Sequence, residues 1–493
     1  MPLRNLIIVA IAVLVSLACF AVAAKNRYAN LFAEALEVVH KDALVEIPPQ
    51  QLFTSAMDGM LEQIDEHSQF IAGNRFREFD EDMRQEFGGV GMYVEINPKN
   101  KRLFVLAPMP GTPAFAAGLQ IGDEILEING QNVEGKDRAD AIKLLRGAIN
   151  ESVELTIDRA GKVFKKQIRR ASINVPSISG DSRMPDGSWQ FVLKEHPRIG
   201  YLRLSQFGDK SANEFTSAWQ QINGNVDGLI LDLRNNPGGL LSVAVEVCDM
   251  FIEPGQVIVG TRRRGGQMVN EIAMAEPIVQ PNLPVVILVN RFSASASEIV
   301  AGCLQDHHRA IIIGEQTYGK GTVQDVIPMQ RGTSALKLTT ASYWRPSGKP
   351  IDRHDALAKS TKIWGVQPDA GFAVKLTEED LFDDLRSRNI RDLEGLIPVE
   401  NREMLAAIKR MQRQINQSDA AENSDSLAPA PDDSVLEKND SPPTVPVEPP
   451  PSQPALQSEE VDDETDSTPH RDRTLERAIE YLQEIGAEKR IAG

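Results

Sequence analysis

The sequence predicts an α/β core, entered through a helical region and a glycine-rich β module and followed by a long tail. Three observations predict it. From Ile199 to Tyr343, short apolar strands alternate with amphipathic helices, the pattern of strands buried on both faces and covered by helices. Residues 86–170 break that alternation with glycine clusters and a period-two strand, as a separate α+β module would. Residues 418–470 hold ten prolines, no aromatic residue, and fourteen Asp and Glu against Lys438 alone. Such a segment buries too little surface to fold and reads as a disordered, acidic, Pro-rich linker. At 493 residues and 41% hydrophobic content the chain has room for two or three domains and a sizeable core.

Most of the net charge of −17 belongs to that linker. The remainder is nearly balanced, and neither a basic nucleic-acid face nor a strongly acidic folded surface follows from that balance. At the other end, Leu6–Ala24 is a 19-residue apolar run broken only by Ser16, after a short start bearing Arg4. Its length suits a cleaved signal peptide (1–24), with Ala21-Val22-Ala23 as an A-x-A cleavage site, or an uncleaved membrane anchor. Leu17-Ala18-Cys19 has its leucine one position off a lipoprotein box. Each of these readings implies export. Cys248 and Cys303 lie in apolar helical stretches without CxxC spacing and are expected as buried free thiols.

Residues 27–84 read as helices. Phe32, Leu36 and Val39 form one stripe, and Phe53, Met57, Met60, Leu61 and Ile64 another, with Pro48-Pro49 between them. His67 has no second potential ligand nearby and reads as a structural hydrogen-bonder. In the next module, Gly88-Gly-Val-Gly91 leads into the alternating strand Met92–Ile96, and a helix is expected over Ala139–Gly147. Successive N–H groups of Gly89, Val90, Gly91 and Met92 suit a nest for a terminal carboxylate, beside a strand edge that can pair with a peptide. The plainer alternative is a small β domain that only joins two parts.

In the core, strands are expected at Ile199–Ser205, Gly228–Leu233, Val285–Val289, Ala310–Ile313 and Ala335–Tyr343, with helices at Asn213–Ile222 and Leu240–Phe251. Alternation of this kind places ligand chemistry at the carboxyl ends of the strands. Two glycines close the turn Asp232-Leu-Arg-Asn-Asn-Pro-Gly-Gly239, where backbone N–H groups can approach a substrate. After Val285–Val289 the run Ser293-Ala-Ser-Ala-Ser297 opens a helix carrying Ile299, Val300, Cys303 and Leu304. A hydroxyl at such a junction can face a cleft, with the helix N-terminus behind it. Gly319-Lys320-Gly321 and Gln324 follow. Serine plus a lysine on a second element is the minimal kit of a serine–lysine hydrolase, the lysine acting as base once it is dry enough to lose its proton. His307 and His308 lie about 18 Å along the same helix from Ser295, at 1.5 Å per residue, too far to serve as its base. No GxSxG elbow, HExxH, clustered His/Cys or P-loop is present, so no metal or other cofactor is implied.

These residues resemble the C-terminal processing (tail-specific) serine protease family, whose pattern is SASASE followed by TxGKGxVQ. Here it stands as Ser293–Glu298 and Thr317–Gln324, with Ser295 25 residues before Lys320. The resemblance implies Ser295 as nucleophile, Lys320 as general base and Gln324 as the group that holds the lysine. Asp232–Gly239 matches the family's DLRxNxGG, which implies Gly238 or Gly239, the latter preferred, with the N–H of Ala296 as oxyanion hole. Residues Gly59–Ser68 resemble GMLxxLDPHS, with Glu66 in place of proline. Residues 86–170, with their AGL-GD-ING sequence, resemble a PDZ domain of exported proteases, and Arg146 resembles the arginine that couples peptide capture to the active site. The likeness covers roughly residues 30–400.

The expected architecture is therefore an α/β protease core (171–400) with an inserted PDZ domain (86–170), an N-terminal helical region (27–84), a disordered linker (418–470) and a C-terminal amphipathic helix (473–486). Leu475, Ala478, Ile479, Leu482 and Ile485 form that helix's apolar stripe. The long linker before it departs from the family pattern. The expected function is an exported endopeptidase that captures apolar protein C-termini and cuts nearby, in the bacterial periplasm, either soluble or anchored to the inner membrane. An adaptor protein and a homo-oligomer are further expectations. Two other classes stay open, a non-catalytic PDZ scaffold and a cleft-binding protein for retinoid-like or lipid ligands. A Ser295→Ala control in a cleavage assay separates them.

Overall fold

The computed structural model describes residues 4–5, 7, 10–16, 27–397 apart from 98–99, 185, 330–331 and 362, and 471–492. The 418–470 linker and much of Leu6–Ala24 lie outside the described residues. Among the described residues, no helix is long and apolar enough to cross a membrane. The chain forms two compact units, one of 1–83, 257–272 and 319–365, the other of 84–256, 273–318 and 366–493.

Along the chain, helices α1 (Arg27–Asp42) and α2 (Pro49–Glu62) come first, Pro49 occupying the opening turn of α2, where its missing N–H costs nothing. The reading of 27–84 as helical then needs a correction. Gln69–Ala72 is a strand, β1, followed by helix α3 (Asn74–Arg84). Its partner strand lies more than 260 residues away, so no local periodicity announces it.

The glycine-rich module runs β2 (Glu86–Gly89), β3 (Met92–Ile96), β4 (Leu103–Pro108), α4 (Pro113–Ala116), β5 (Glu124–Ile128), β6 (Gln131–Asn132), α5 (Arg138–Leu145), β7 (Ser152–Arg159), β8 (Lys162–Arg169) and β9 (Ala171–Asn174). Its antiparallel sheet has the order β3-β4-β5-β7-β8, with β6 on β5, around a core of Leu103, Val105, Ile125, Ile128, Leu155 and Ile157. Helix α5 starts at Asp137, whose carboxylate accepts the Asp140 N–H at 2.7 Å. At its other end Arg170 donates to the carbonyls of Leu145 and Leu144. Pairing of β2 with β9 closes the module where the chain enters and leaves it.

The rest comprises β10 (Ile178–Ser179), β11 (Ser182–Arg183), β12 (Trp189–Gln190), β13 (Ile199–Leu204), α6 (Ser211–Ile222), β14 (Gly228–Asp232), α7 (Leu241–Asp249), β15 (Val257–Arg263), β16 (Met268–Ile272), β17 (Val285–Val289), α8 (Ala296–Asp306), β18 (Ile311–Gly314), β19 (Thr322–Met329), β20 (Ser334–Trp344), α9 (Ala356–Thr361), α10 (Glu378–Glu394) and α11 (Arg473–Ala492). Strands β13, β14, β17 and β18 are parallel neighbours in that order, with β10 antiparallel at one edge. Every residue of β14 and β17 is buried, which is why both read as continuous apolar runs. Tyr201, Ile230, Val286, Leu288 and Ile313 meet Leu475, Ala478 and Leu482 of α11; period-two alternation turns Leu229, Leu231 and Ile287 to the opposite face. Cys248 and Cys303 are buried free thiols, and burial pushes the Cys248 thiol well up, leaving it unreactive. In the other unit, β1, β20, β15 and β16 make a sheet in that order, with β19 also paired to β20.

Candidate active site

Four loops leave the carboxyl ends of the parallel strands, and two of them are locked together. The first follows β14. Asn236 is fully buried, its Nδ2 donating to the Leu204 carbonyl at 2.8 Å and its Oδ1 accepting the Gly238 N–H at 2.8 Å. The second follows β17. Its Ala294 N–H and Ser297 hydroxyl both donate to the Asn236 carbonyl, each at 3.0 Å. The Ser293 hydroxyl donates to the Leu233 carbonyl at 2.8 Å and accepts the Asn290 N–H at 3.0 Å. Asn235 and Asn290 exchange hydrogen bonds of 3.0 Å in both directions.

Between these anchors Ser295 is held at φ 57° and ψ −114°, a backbone conformation that side-chain-bearing residues rarely adopt. Such strain persists only where its surroundings over-determine it, and it concentrates at functional sites. Here the determinant is Glu298, fully buried in the first turn of α8. One of its oxygens accepts the Ser295 N–H at 2.8 Å and the other the Thr317 hydroxyl at 2.6 Å, while Thr317 accepts the Val366 N–H. Ser293 and Ser297 have no exposed surface; Ser295 keeps 9%. The turn presents one serine of the three.

The glycines of the first loop fit against this turn. A Cβ on Gly238 (φ 105°) would lie 2.8 Å from both the Ala294 carbonyl and Ser295 Cβ, and one on Gly239 (φ 148°) 2.2 Å from the Phe207 carbonyl. Glycine at these two positions lets the loop pack against the Ser295 turn on one side and Phe207 on the other. The Gly238 N–H is committed to the Asn236 side chain.

Lys320 and Gln324 belong to the other compact unit. Lys320 is half-buried between two glycines that allow the chain to pack tightly. A Cβ on Gly319 (φ 87°) would meet Trp364 at 2.5 Å, and one on Gly321 the Asp352 nitrogen at 2.2 Å. At a register shift in the β19–β20 pairing, Gln324 Nε2 donates to the hydroxyls of Thr322 (2.8 Å) and Thr339 (3.1 Å). Both amide protons are then committed, and the carbonyl oxygen is the end that can accept from an amine. His67 stands in the electrostatic range of Lys320. Burial is the main cause that lowers the His67 pKa, which favours the neutral imidazole. Asp65 fixes the turn that carries it, accepting the N–H groups of His67 and Ser68 at 2.9 and 2.7 Å.

Gly89, Val90, Gly91, Met92 and Arg146 line one groove of about 320 Å³ between β3 and α5, with Ile142 and Leu145 on its helical wall. Strand β3 pairs only with β4, so its outer edge is unpaired within the sheet. Gly91 (φ 76°) sits where a Cβ would be 2.4 Å from Thr112. Arg146 lies over the Phe87 ring at 4.3 Å, and its Nε is buried with no hydrogen-bond partner among the described residues.

Glu298, Thr317, Asn236 and Asn290 were not singled out by sequence reasoning. Glu298 had a local signal, the Ser-x-x-Glu spacing of a capping box, while Asn236 and Thr317 stand at fixed positions of the DLRxNxGG and TxGKGxVQ patterns. The other three act through loops distant in sequence.

Comparison with known proteins places these parts. Residues 198–371 match the model of peptidase family S41, and residues 104–159 that of the PDZ domain. A carboxy-terminal-processing protease of Bartonella bacilliformis is 36% identical over 66% of this chain and 74% of its own length. Proteins named probable CtpA-like serine protease are 33% identical in Staphylococcus haemolyticus, over 66% of this chain and 60% of theirs, and 30% identical in Staphylococcus aureus, over 66% and 62%. The chain thus spans somewhat less than two thirds of the staphylococcal proteins and about three quarters of the Bartonella one. From the extent of that last match, the chain belongs to peptidase family S41, as a serine-type protease of the carboxy-terminal-processing group with a PDZ domain.

Proposed function

We propose that the protein is an exported endopeptidase in which Ser295 is the nucleophile and Lys320 the general base. The observation that carries this is the strained Ser295 backbone at the head of α8, against which Gly238 of the neighbouring loop packs. The chain also passes from Tyr318, whose N–H donates to the Ser293 carbonyl at 3.0 Å, to Lys320 in two residues. Unprotonated Lys320 takes the Ser295 proton as Oγ forms a bond to the scissile carbonyl carbon. The carbonyl oxygen becomes an oxyanion on the Gly239 and Ala296 N–H groups, supported by the helix dipole. Collapse breaks the C–N bond, and the lysine ammonium delivers its proton to the departing amine. Water then attacks the acyl ester, giving its proton to Lys320, and releases the acid and Ser295. Gln324 aims the lysine through its carbonyl oxygen.

The substrates are proteins with apolar C-termini. The Gly89–Met92 segment takes the terminal carboxylate, the β3 edge pairs with the extended tail, and the apolar groove takes its side chains. Arg146 couples that capture to cleavage. A tail can bias the enzyme toward an active state only by binding that state more tightly. Leu6–Ala24 directs export to the periplasm, where the protein is soluble or held at the inner membrane, as a homo-oligomer and with an adaptor protein bringing substrates. The test is incubation of an unfolded polypeptide ending in apolar residues with wild type and Ser295→Ala. Cleavage by wild type alone supports the reading, and equal cleavage by both removes it.

A further inference from the structure

The C-terminal helix is a layer of the core and reaches the loop that carries Gly239. Leu475, Ala478 and Leu482 are buried on the parallel sheet, and Leu482 packs so closely over Gly228 that a Cβ there would be 2.9 Å from it. Tyr481 meets Phe372 edge-on at 5.1 Å. Just before α11 stands Asp472. Its Oδ1 accepts the Leu475 N–H at 2.9 Å, and its carbonyl accepts the Glu476 N–H. That carboxylate also accepts two hydrogen bonds from Arg234, 2.7 Å from Nη1 and 2.9 Å from Nη2.

Arg234 is the third residue of the Asp232–Gly239 loop, and its guanidinium is almost wholly buried. On its other side it holds Asp232, at 3.0 Å through Nε and 2.7 Å through Nη2, and Tyr201 donates its hydroxyl to the same carboxylate at 2.6 Å. Asp384 of α10 lies 3.6 Å away. The space left among these groups is about 20 Å³, the size of one water. Immediately after Arg234 the chain turns left-handed at Asn235 (φ 59°), then runs through Asn236 to the two glycines. Arg234 is thus the fixed point from which the strained part of the loop departs, and half of its fork is held from a segment 238 residues ahead.

We propose that Asp472 is a positioning residue for proteolysis: by clamping Arg234 it fixes the loop whose Gly239 N–H is the proposed oxyanion donor, so the C-terminal helix is required for turnover. The inference rests on Ser295 being the nucleophile. A buried ion pair is by itself weak evidence of stabilisation, since desolvating both charges costs about as much as their attraction returns. Positional control is the role that this geometry suits. Its signature is a loss in the chemical step, because a displaced oxyanion donor weakens the transition state more than substrate binding.

The test compares full-length wild type, Asp472→Asn, Asp472→Glu, Leu482→Ala and Ser295→Ala. Each is measured for kcat and KM on an unfolded polypeptide, for the rate of serine labelling by a fluorophosphonate, and for thermal stability. Asp472→Asn is expected to lower kcat and the labelling rate about 10–100-fold with KM changed less than about threefold, the order expected of a reacting group displaced by about an ångström. Asp472→Glu, whose carboxylate stands one methylene further out, should recover only part of that loss and stay about five- to tenfold below wild type. Leu482→Ala, which loosens the helix away from Arg234, should lower the melting temperature while keeping kcat within about threefold. If Asp472→Asn is less stable but turns over and labels like wild type, the pair is structural and the proposal is overturned. If Asp472→Asn does not fold, Asp472→Glu decides: a kcat below that of Leu482→Ala supports the proposal, and an equal one overturns it. Failure of the underlying reading looks different, because wild type would then neither cleave nor label, or would do so no better than Ser295→Ala.

Discussion

Three serines stand within five residues, and their surroundings give them different tasks. Ser293 and Ser297 are fully buried and spend their hydroxyls on backbone carbonyls of the neighbouring loop. Removing the Ser293 hydroxyl takes the acceptor from the buried Asn290 N–H, at a cost of about 1–3 kcal/mol, and removing that of Ser297 takes one of two donors from the Asn236 carbonyl, at the lower end of that range. Ser293→Ala and Ser297→Ala should therefore melt several degrees lower yet retain most of their proteolytic activity at 25 °C, whereas Ser295→Ala should be inactive and as stable as wild type. An inactive Ser297→Ala of normal stability would move the nucleophile by two residues. Lys320→Ala and Lys320→Arg should both abolish cleavage without unfolding the protein, the latter because a guanidinium stays protonated at any working pH. Substantial turnover by Lys320→Arg, read by peptide release, removes the lysine from the base role.

The elements explain how much of the site could be read in advance. Strand Val285–Val289 was legible to the residue because full burial makes it uniformly apolar. The GKG was legible because glycine is required where an added Cβ would come within 2–3 Å of a neighbour, as at Gly319 and Gly321. What was not legible depends on partners far away in the chain. Strand β1 exists because β20 pairs with it, and Asn236 matters because Leu204, Gly238 and Ala294 surround it. The left-handed Ser295 leaves no composition signal, since serine is not a residue chosen for positive φ. Glu298 gives an element-scale prediction. Its two oxygens serve the Ser295 N–H and the Thr317 hydroxyl, so Glu298→Gln puts an NH₂ group against one of two donors. It should lose about 1–3 kcal/mol of stability, by denaturant titration, and cleave more slowly than wild type. Unchanged stability would show that the cap does not hold the Ser295 turn.

On the scale of the whole molecule, the buried charges around Arg234 set a response to acid. Burial alone would raise the carboxyls of Asp232 and Asp472, but the Arg234 charge and its hydrogen bonds hold both below the ordinary carboxylate range. A depressed carboxyl contributes stability above its unfolded pKa of about 4 and loses it as pH falls through the folded value. The melting temperature should therefore fall on acidification below about pH 4, and Asp472→Asn should show a shallower fall over the same window. An equally steep fall in that variant would mean that other carboxylates govern the response. The PDZ domain poses a separate question at this scale. Without residues 86–170, gating by inhibition predicts continued cutting of unstructured substrates, and recruitment alone predicts weak, unselective cutting.

The account turns on Ser295 being a nucleophile activated by Lys320, and covalent labelling reads that directly. A fluorophosphonate loses fluoride to an activated serine oxygen and leaves a stable phosphonyl ester, whose position peptide mass spectrometry assigns. A single adduct on Ser295 is predicted for wild type, absent in Ser295→Ala and slowed at least about 100-fold in Lys320→Arg. An adduct on Ser293, Ser297 or a serine elsewhere, or undiminished labelling of Lys320→Arg, would contradict it.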